Sequence, residues 1–147
     1  MPLMQIGLQM AAGKLPKVIK PRPHAIIDYA VAGSFMVMGA LWWRSHRRAA
    51  VSSLICGGAT AVNTLLTDYP GGMLRVISYR NHGRIDTGLA GLTAAMPRLM
   101  NFGDEPEARF FKIRALGQTA ITGLTDFNDR GHHLSRRLRP RNDEPAA

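Results

Sequence analysis

Cysteine is almost missing from this sequence: Cys56 stands alone among 147 residues. A lone thiol rules out a disulfide framework and any site built on cysteine pairs, and nothing argues for an oxidising compartment. Lying inside an apolar run, Cys56 is expected as small core filling. Acidic residues are scarce too, 10 against 19 lysines and arginines, for a net charge of +9. Such an excess serves nucleic acid, anionic lipid or membrane topology, and the placement of the basic residues decides among them. Catalytic signatures are also absent. There is no H-E-x-x-H, no phosphate-binding glycine loop and no nucleophile elbow, so the chain is not expected to be an enzyme and no cofactor is predicted, a divalent cation being the one alternative.

The length is that of one domain. Residues 1–12 are mildly apolar, but Lys14 and Lys17 follow that stretch instead of preceding it, the wrong order for a secretory signal. Residues 1–21 are therefore expected as an N-terminal arm whose stretch 1–12 is flexible or surface-lying, and 128–147 as a solvated basic tail in which His132 and His133 are surface residues.

What the sequence does contain is a repeat. Laying residues 22–69 on 80–127 without a gap gives 14 identities in 48 positions, against roughly three by chance. The front of each unit reads R-x-H-x-x-I-D, as Arg22, His24, Ile27, Asp28 and as Arg80, His82, Ile85, Asp86. The back reads T-x-L-T-D plus an aromatic, as Thr64, Leu66, Thr67, Asp68, Tyr69 and as Thr122, Leu124, Thr125, Asp126, Phe127. Agreement at both ends implies that the loops between kept their length.

Each unit holds two apolar stretches. Residues 25–43 carry only Asp28 as a charge and 49–67 carry none; each approaches the ~20 residues that cross a bilayer core. Trp42 and Trp43 followed by Arg44 have the composition of a headgroup boundary. Gly57, Gly58, Ala59 and Ala61 would let helices approach closely, within the chain or in a homo-oligomer. The second unit is less apolar: its uncharged runs are 87–97 and 115–125, with Arg98, Lys112 and Arg114 near their ends. Long basic side chains snorkel to an interface, so the second hairpin is expected to do what the first does. Pro97 is expected to kink the third helix.

The expected fold is all-α, a four-helix transmembrane bundle of two tandem hairpins with connection 70–79 between them; a soluble four-helix bundle is the alternative. With four spans, the arm, the segment 68–84 and the tail share one side, which then holds 12 of the 19 basic residues. The positive-inside rule puts that side, and both termini, in the cytoplasm of an inner membrane. The charge excess is thus assigned to topology and to anionic lipid headgroups and not to nucleic acid. The GGMLRVISYR segment is too short to span and is expected along the interface.

The stretches PRPHAIIDY and LLTDYPGGMLRVISYRNHGRID resemble the SPW repeat family of small prokaryotic membrane proteins over roughly residues 20–127. The Ser-Pro-Trp tripeptide itself is replaced, by Met38, Gly39, Ala40 in the first unit and by Met96, Pro97, Arg98 in the second. The resemblance, as to a divergent member, implies a membrane location and a two-unit fold, and brings no activity.

His24 and Asp28 are four residues apart, as are His82 and Asp86, so each pair shares a helix face. Asp68 and Asp126, returning to the same side, would complete a cluster of two His and four Asp joined by Arg22 and Arg80. Two functions follow. In a structural or interaction protein, the favoured expectation, Arg22 and Arg80 neutralise the aspartates, Pro23 opens the first helix, and Asp68 and Asp126 find a cationic neighbour or cap the following turn. In an ion- or small-ligand-binding protein, the aspartates converge with the histidines around a divalent cation or a ligand held by the arginines.

Overall fold

The computed structural model describes residues 6–7, 10–11 and 13–128; His132, His133 and the tail after Asn128 lie outside them. Four helices, α1 (Pro21–Trp42), α2 (Arg47–Leu66), α3 (Tyr79–Leu99) and α4 (Ala108–Leu124), make up the fold, with no strand among the described residues. The first helix opens at Pro21, two residues before the expected Pro23. Both prolines fit in its first turn, where backbone N–H groups have no intrahelical acceptor to lose. Ser78 caps α3, its hydroxyl accepting from the Asn81 amide at 3.3 Å. Pro97 sits in the last turn of α3, which runs through it and stops at Leu99.

The hairpins close tightly because small residues face large ones. A Cβ on Gly57 would lie 2.7 Å from Phe35 Cβ and 3.1 Å from the Ala32 carbonyl, and one on Gly39 would strike Leu54. Gly57 is thus spent on the α1–α2 contact inside the chain, not on a face left for a second copy. Beyond it, Phe35, Phe102 and Phe111 are fully buried with Ala49, Cys56 and Met96, and Trp42 and Phe110 pack at their edge. Cys56 fills core as expected.

At the other end, chain connections bind helix ends in a regular way. Val76 and Ile77 donate their amides to the Leu66 carbonyl, both at 2.9 Å, and Asp68 donates back to Ile77 at 2.8 Å. The same three bonds occur 58 residues away: Val18 and Ile19 donate to Leu124 at 2.9 and 3.0 Å, and Asp126 donates to Ile19 at 3.1 Å. Residues 18 and 19, in the N-terminal arm just before α1, are thus tied to the end of α4, with a parallel bridge between Ile19 and Thr125. Their backbone groups are satisfied there instead of by water. The segment after Asp68 does lie on the surface, with Met73, Leu74 and Val76 exposed.

Two helices, α1 and α2, are long and apolar enough to cross a membrane. Their outer faces leave large apolar side chains uncovered, among them Ile26, Val37, Leu41, Ile55 and Val62.

Candidate metal centre

His24 and His82 each sit in the second turn of their helices, α1 and α3, with Asp28 and Asp86 one turn further along. All four side chains are buried, the histidines at 1% and 0% exposure. Their Nε2 atoms stand 3.2 Å apart. Asp86 Oδ2 lies 3.1 Å from His24 Nε2 and 2.9 Å from His82 Nε2; Asp28 Oδ2 lies 3.4 and 3.1 Å from the same two atoms.

The protonation of the rings follows from their other nitrogens. Thr67 Oγ1 donates its one hydrogen to the Asn63 carbonyl at 2.6 Å, and the same oxygen lies 2.8 Å from His82 Nδ1. Since that hydrogen is used, the hydroxyl must accept from Nδ1–H. Thr125 repeats this, donating to the Ile121 carbonyl at 2.7 Å and standing 2.9 Å from His24 Nδ1. With Nδ1–H committed to the threonines, each Nε2 faces the carboxylates, where it donates when it carries a hydrogen and would offer its lone pair to a metal ion when it does not.

The carboxylates are held from behind as well. Asn63 Nδ2 donates to Asp86 Oδ1 at 2.8 Å, and the Tyr69 hydroxyl donates to Asp28 Oδ2 at 3.1 Å. Burial, and next the charge of Asp28, push the Tyr69 hydroxyl well above the ordinary phenol range, so it remains a donor. Tyr69, Tyr79 and Phe127 pack around the two imidazoles, Tyr79 stacked on His82 and edge-on to His24, and cover the site at the end of the bundle. Below it, a cavity of about 10 Å³ lined by Asp28, Asp86, Thr60 and Gln118 has room for one water-sized body.

The other expected members of the cluster do not reach it. Asp68 is exposed and pairs with Arg75 at 3.8 Å. Asp126 Oδ1 accepts from the Asn128 amide at 3.0 Å, capping the turn after α4. Arg22 and Arg80 are exposed, and among the described residues neither pairs with an aspartate. The reason is geometric. Helix periodicity puts residues 24 and 28 on one face but turns residue 22 about 200° away from 24, so the histidines and not the arginines face the carboxylates. The alternatives left open by the sequence therefore divide: Asp28 and Asp86 converge with the histidines, whereas Asp68 and Asp126 are consumed locally.

Four contributors went unassigned. Thr67 and Thr125 lie inside the repeated T-x-L-T-D motif, but the neighbouring aspartates draw attention from them. Asn63 and Tyr69 have no counterpart in the second unit, where Ile121 and Phe127 stand. A signal for the clasped arm was present too, since Gly13, Val18 and Ile19 match Gly71, Val76 and Ile77 at the same offset.

A second group joins the two hairpin turns at the opposite end. His46 Nε2 lies 3.1 Å from Glu107 Oε1, and Arg48 pairs with Glu105 at 2.7 Å while donating to the Asn101 carbonyl at 2.6 Å. The His46 side chain is 41% exposed.

No protein family, curated protein or solved structure matches the chain.

Proposed function

We propose that this chain is a small membrane protein of two tandem helical hairpins whose buried His24, Asp28, His82 and Asp86 hold one divalent transition-metal ion. The observation that carries the metal reading is the spacing of the four ligand atoms. Ligands about 2.0–2.1 Å from a tetrahedral ion are about 3.3–3.4 Å apart. The five nitrogen–nitrogen and nitrogen–oxygen separations here run from 2.9 to 3.4 Å. Two carboxylates and two neutral imidazoles neutralise a divalent charge, which removes the penalty of burying either sign alone. Imidazole donors favour zinc, iron, cobalt or nickel over magnesium and calcium. The threonines behind the rings supply the outer hydrogen bonds that metal-binding histidines use.

The role is one of holding an ion, and through it of fastening the two hairpins together. The described residues supply no nucleophile with a paired base beside the site.

Membrane placement is supported by the apolar outer faces of α1 and α2 and by the crowding of basic residues at the metal-centre end. On α3 and α4 the exposed basic residues Arg84, Arg98, Arg109 and Lys112 leave Ile85, Ile113 and Leu116 exposed between them. All four helices then span, the termini face the cytoplasm, and the basic end contacts anionic headgroups. The SPW repeat resemblance, read as divergent membership, agrees with this placement.

The test is extraction of the expressed protein from membranes with and without detergent, then metal analysis of wild type beside His24→Ala/His82→Ala. Detergent-dependent extraction with one metal per chain, lost in the double variant, is expected. A detergent-extracted protein with no metal leaves the four side chains as a hydrogen-bonded fastening only, and recovery as a soluble monomer overturns the membrane placement.

A further inference from the structure

Beside the covered metal centre, the second hairpin has an open groove that the first hairpin lacks. It measures about 350 Å³ and is lined by Lys17, Arg80 and Arg84, with Gly83, Thr87 and Phe127 among its other walls. No carboxylate lines it. Among the described residues neither arginine pairs with an acid, and the Lys17 ammonium donates to the Gly123 carbonyl at 2.6 Å.

The first hairpin serves as the internal control. Positions 25, 26 and 29, which correspond to 83, 84 and 87, are Ala25, Ile26 and Tyr29. There the space is closed: the Tyr29 hydroxyl donates to the Gly71 carbonyl at 2.6 Å, and a Cβ on Gly71 would lie 2.6 Å from Ala25 Cβ. Gly83 lacks the methyl, Thr87 lacks the ring, and Arg84 puts a cation where Ile26 is apolar. Each difference opens the groove or makes it more basic, and all three fall on one face of α3, at its N-terminal end where the helix dipole also favours an anion.

We infer that this groove binds a phosphate group, from an anionic lipid headgroup or from a free phosphate ester. Among the described residues that line the groove three are cations and none is acidic, which suits a multiply charged anion. The planar guanidinium fork matches phosphate oxygens in pairs. A basic pocket between helices at the cytoplasmic end is also where lipid headgroups are bound. The inference uses none of the metal ligands and stands or falls apart from the metal centre.

The probes are inorganic phosphate and short-chain phosphatidic acid, titrated into the purified full chain in neutral detergent at fixed salt. Wild type is expected to bind phosphatidic acid, and Arg80→Gln/Arg84→Gln to bind it more weakly by roughly tenfold for each arginine. Arg22→Gln/Arg75→Gln, which removes two cations from the closed hairpin, is expected to bind like wild type. Thr87→Tyr, which refills the groove with every cation kept, is expected to abolish binding. Retained thermal unfolding shows that each variant is folded. Equal saturation by inorganic phosphate assigns a free phosphate ligand, and a response to the lipid alone assigns a headgroup. Absence of binding in wild type, equal losses in the two arginine pairs, or undiminished binding by Thr87→Tyr overturns the inference.

Discussion

At the turn end of the bundle, Phe35, Phe102 and Phe111 meet as rings in a dry cluster. At the other end the same helices meet through two imidazoles and two carboxylates. Both regions are closed to solvent, yet they differ in what they demand. Apolar rings tolerate rearrangement as long as volume is kept. The polar end is stricter, because a buried donor or acceptor that loses its partner costs free energy. The contrast separates two kinds of packing within one small fold: the aromatic end supplies cohesion, and the His/Asp end is where the proposed ion would join the hairpins.

The sharpest way to break this division is Phe111→Ala, at a fully buried position. It should destabilise the protein by about 3–5 kcal/mol while leaving one metal per chain. Thermal unfolding beside metal analysis checks this, and loss of the metal along with the stability would show that the two ends are one cooperative unit. Next in size, Thr67→Val keeps side-chain volume but removes the acceptor of His82 Nδ1–H. Metal affinity should fall roughly 10–100-fold, measured by competition with a chelator. Thr125→Val should match it, and a clear inequality between them would show that the two halves do not share the load. Smallest of all, His46→Ala removes a half-exposed ion pair at the turn end and should change stability by no more than about 1 kcal/mol, with metal content untouched. A second metal lost in that variant would mean that His46, Glu105 and Glu107 form a site too.

Much of this organisation was legible in the residues. The first two helices follow the uncharged runs 25–43 and 49–67 within a few residues, whereas α3 and α4 start at Tyr79 and Ala108, well before the uncharged runs 87–97 and 115–125. The His-to-Asp spacing of four puts each buried pair on one helix face. What escaped was whatever depends on rotation about a helix or on partners far along the chain. Arg22 and His24 are neighbours in sequence but point to different sides of α1, so charge matching suggested a staple that helix geometry forbids. Asp68 and Asp126 recur as faithfully as Asp28 and Asp86, yet they recur because each ends a helix the same way. Repetition marks a shared requirement without saying whether it is folding or chemistry. Thr67 and Thr125 became informative only when their hydroxyls were placed between a carbonyl and a ring nitrogen.

The clasp of residues 18 and 19 brings the segment before α1 to the end of α4, as the segment at 76 and 77 is brought to the end of α2. The described path therefore returns to where it started. Joining residue 128 to residue 13 through a short linker and opening the chain between Gly71 and Gly72 would give a circular permutant with every inter-helix contact intact. By the same logic a half-length chain carries one buried His/Asp pair, and pairing with a copy of itself would supply the second.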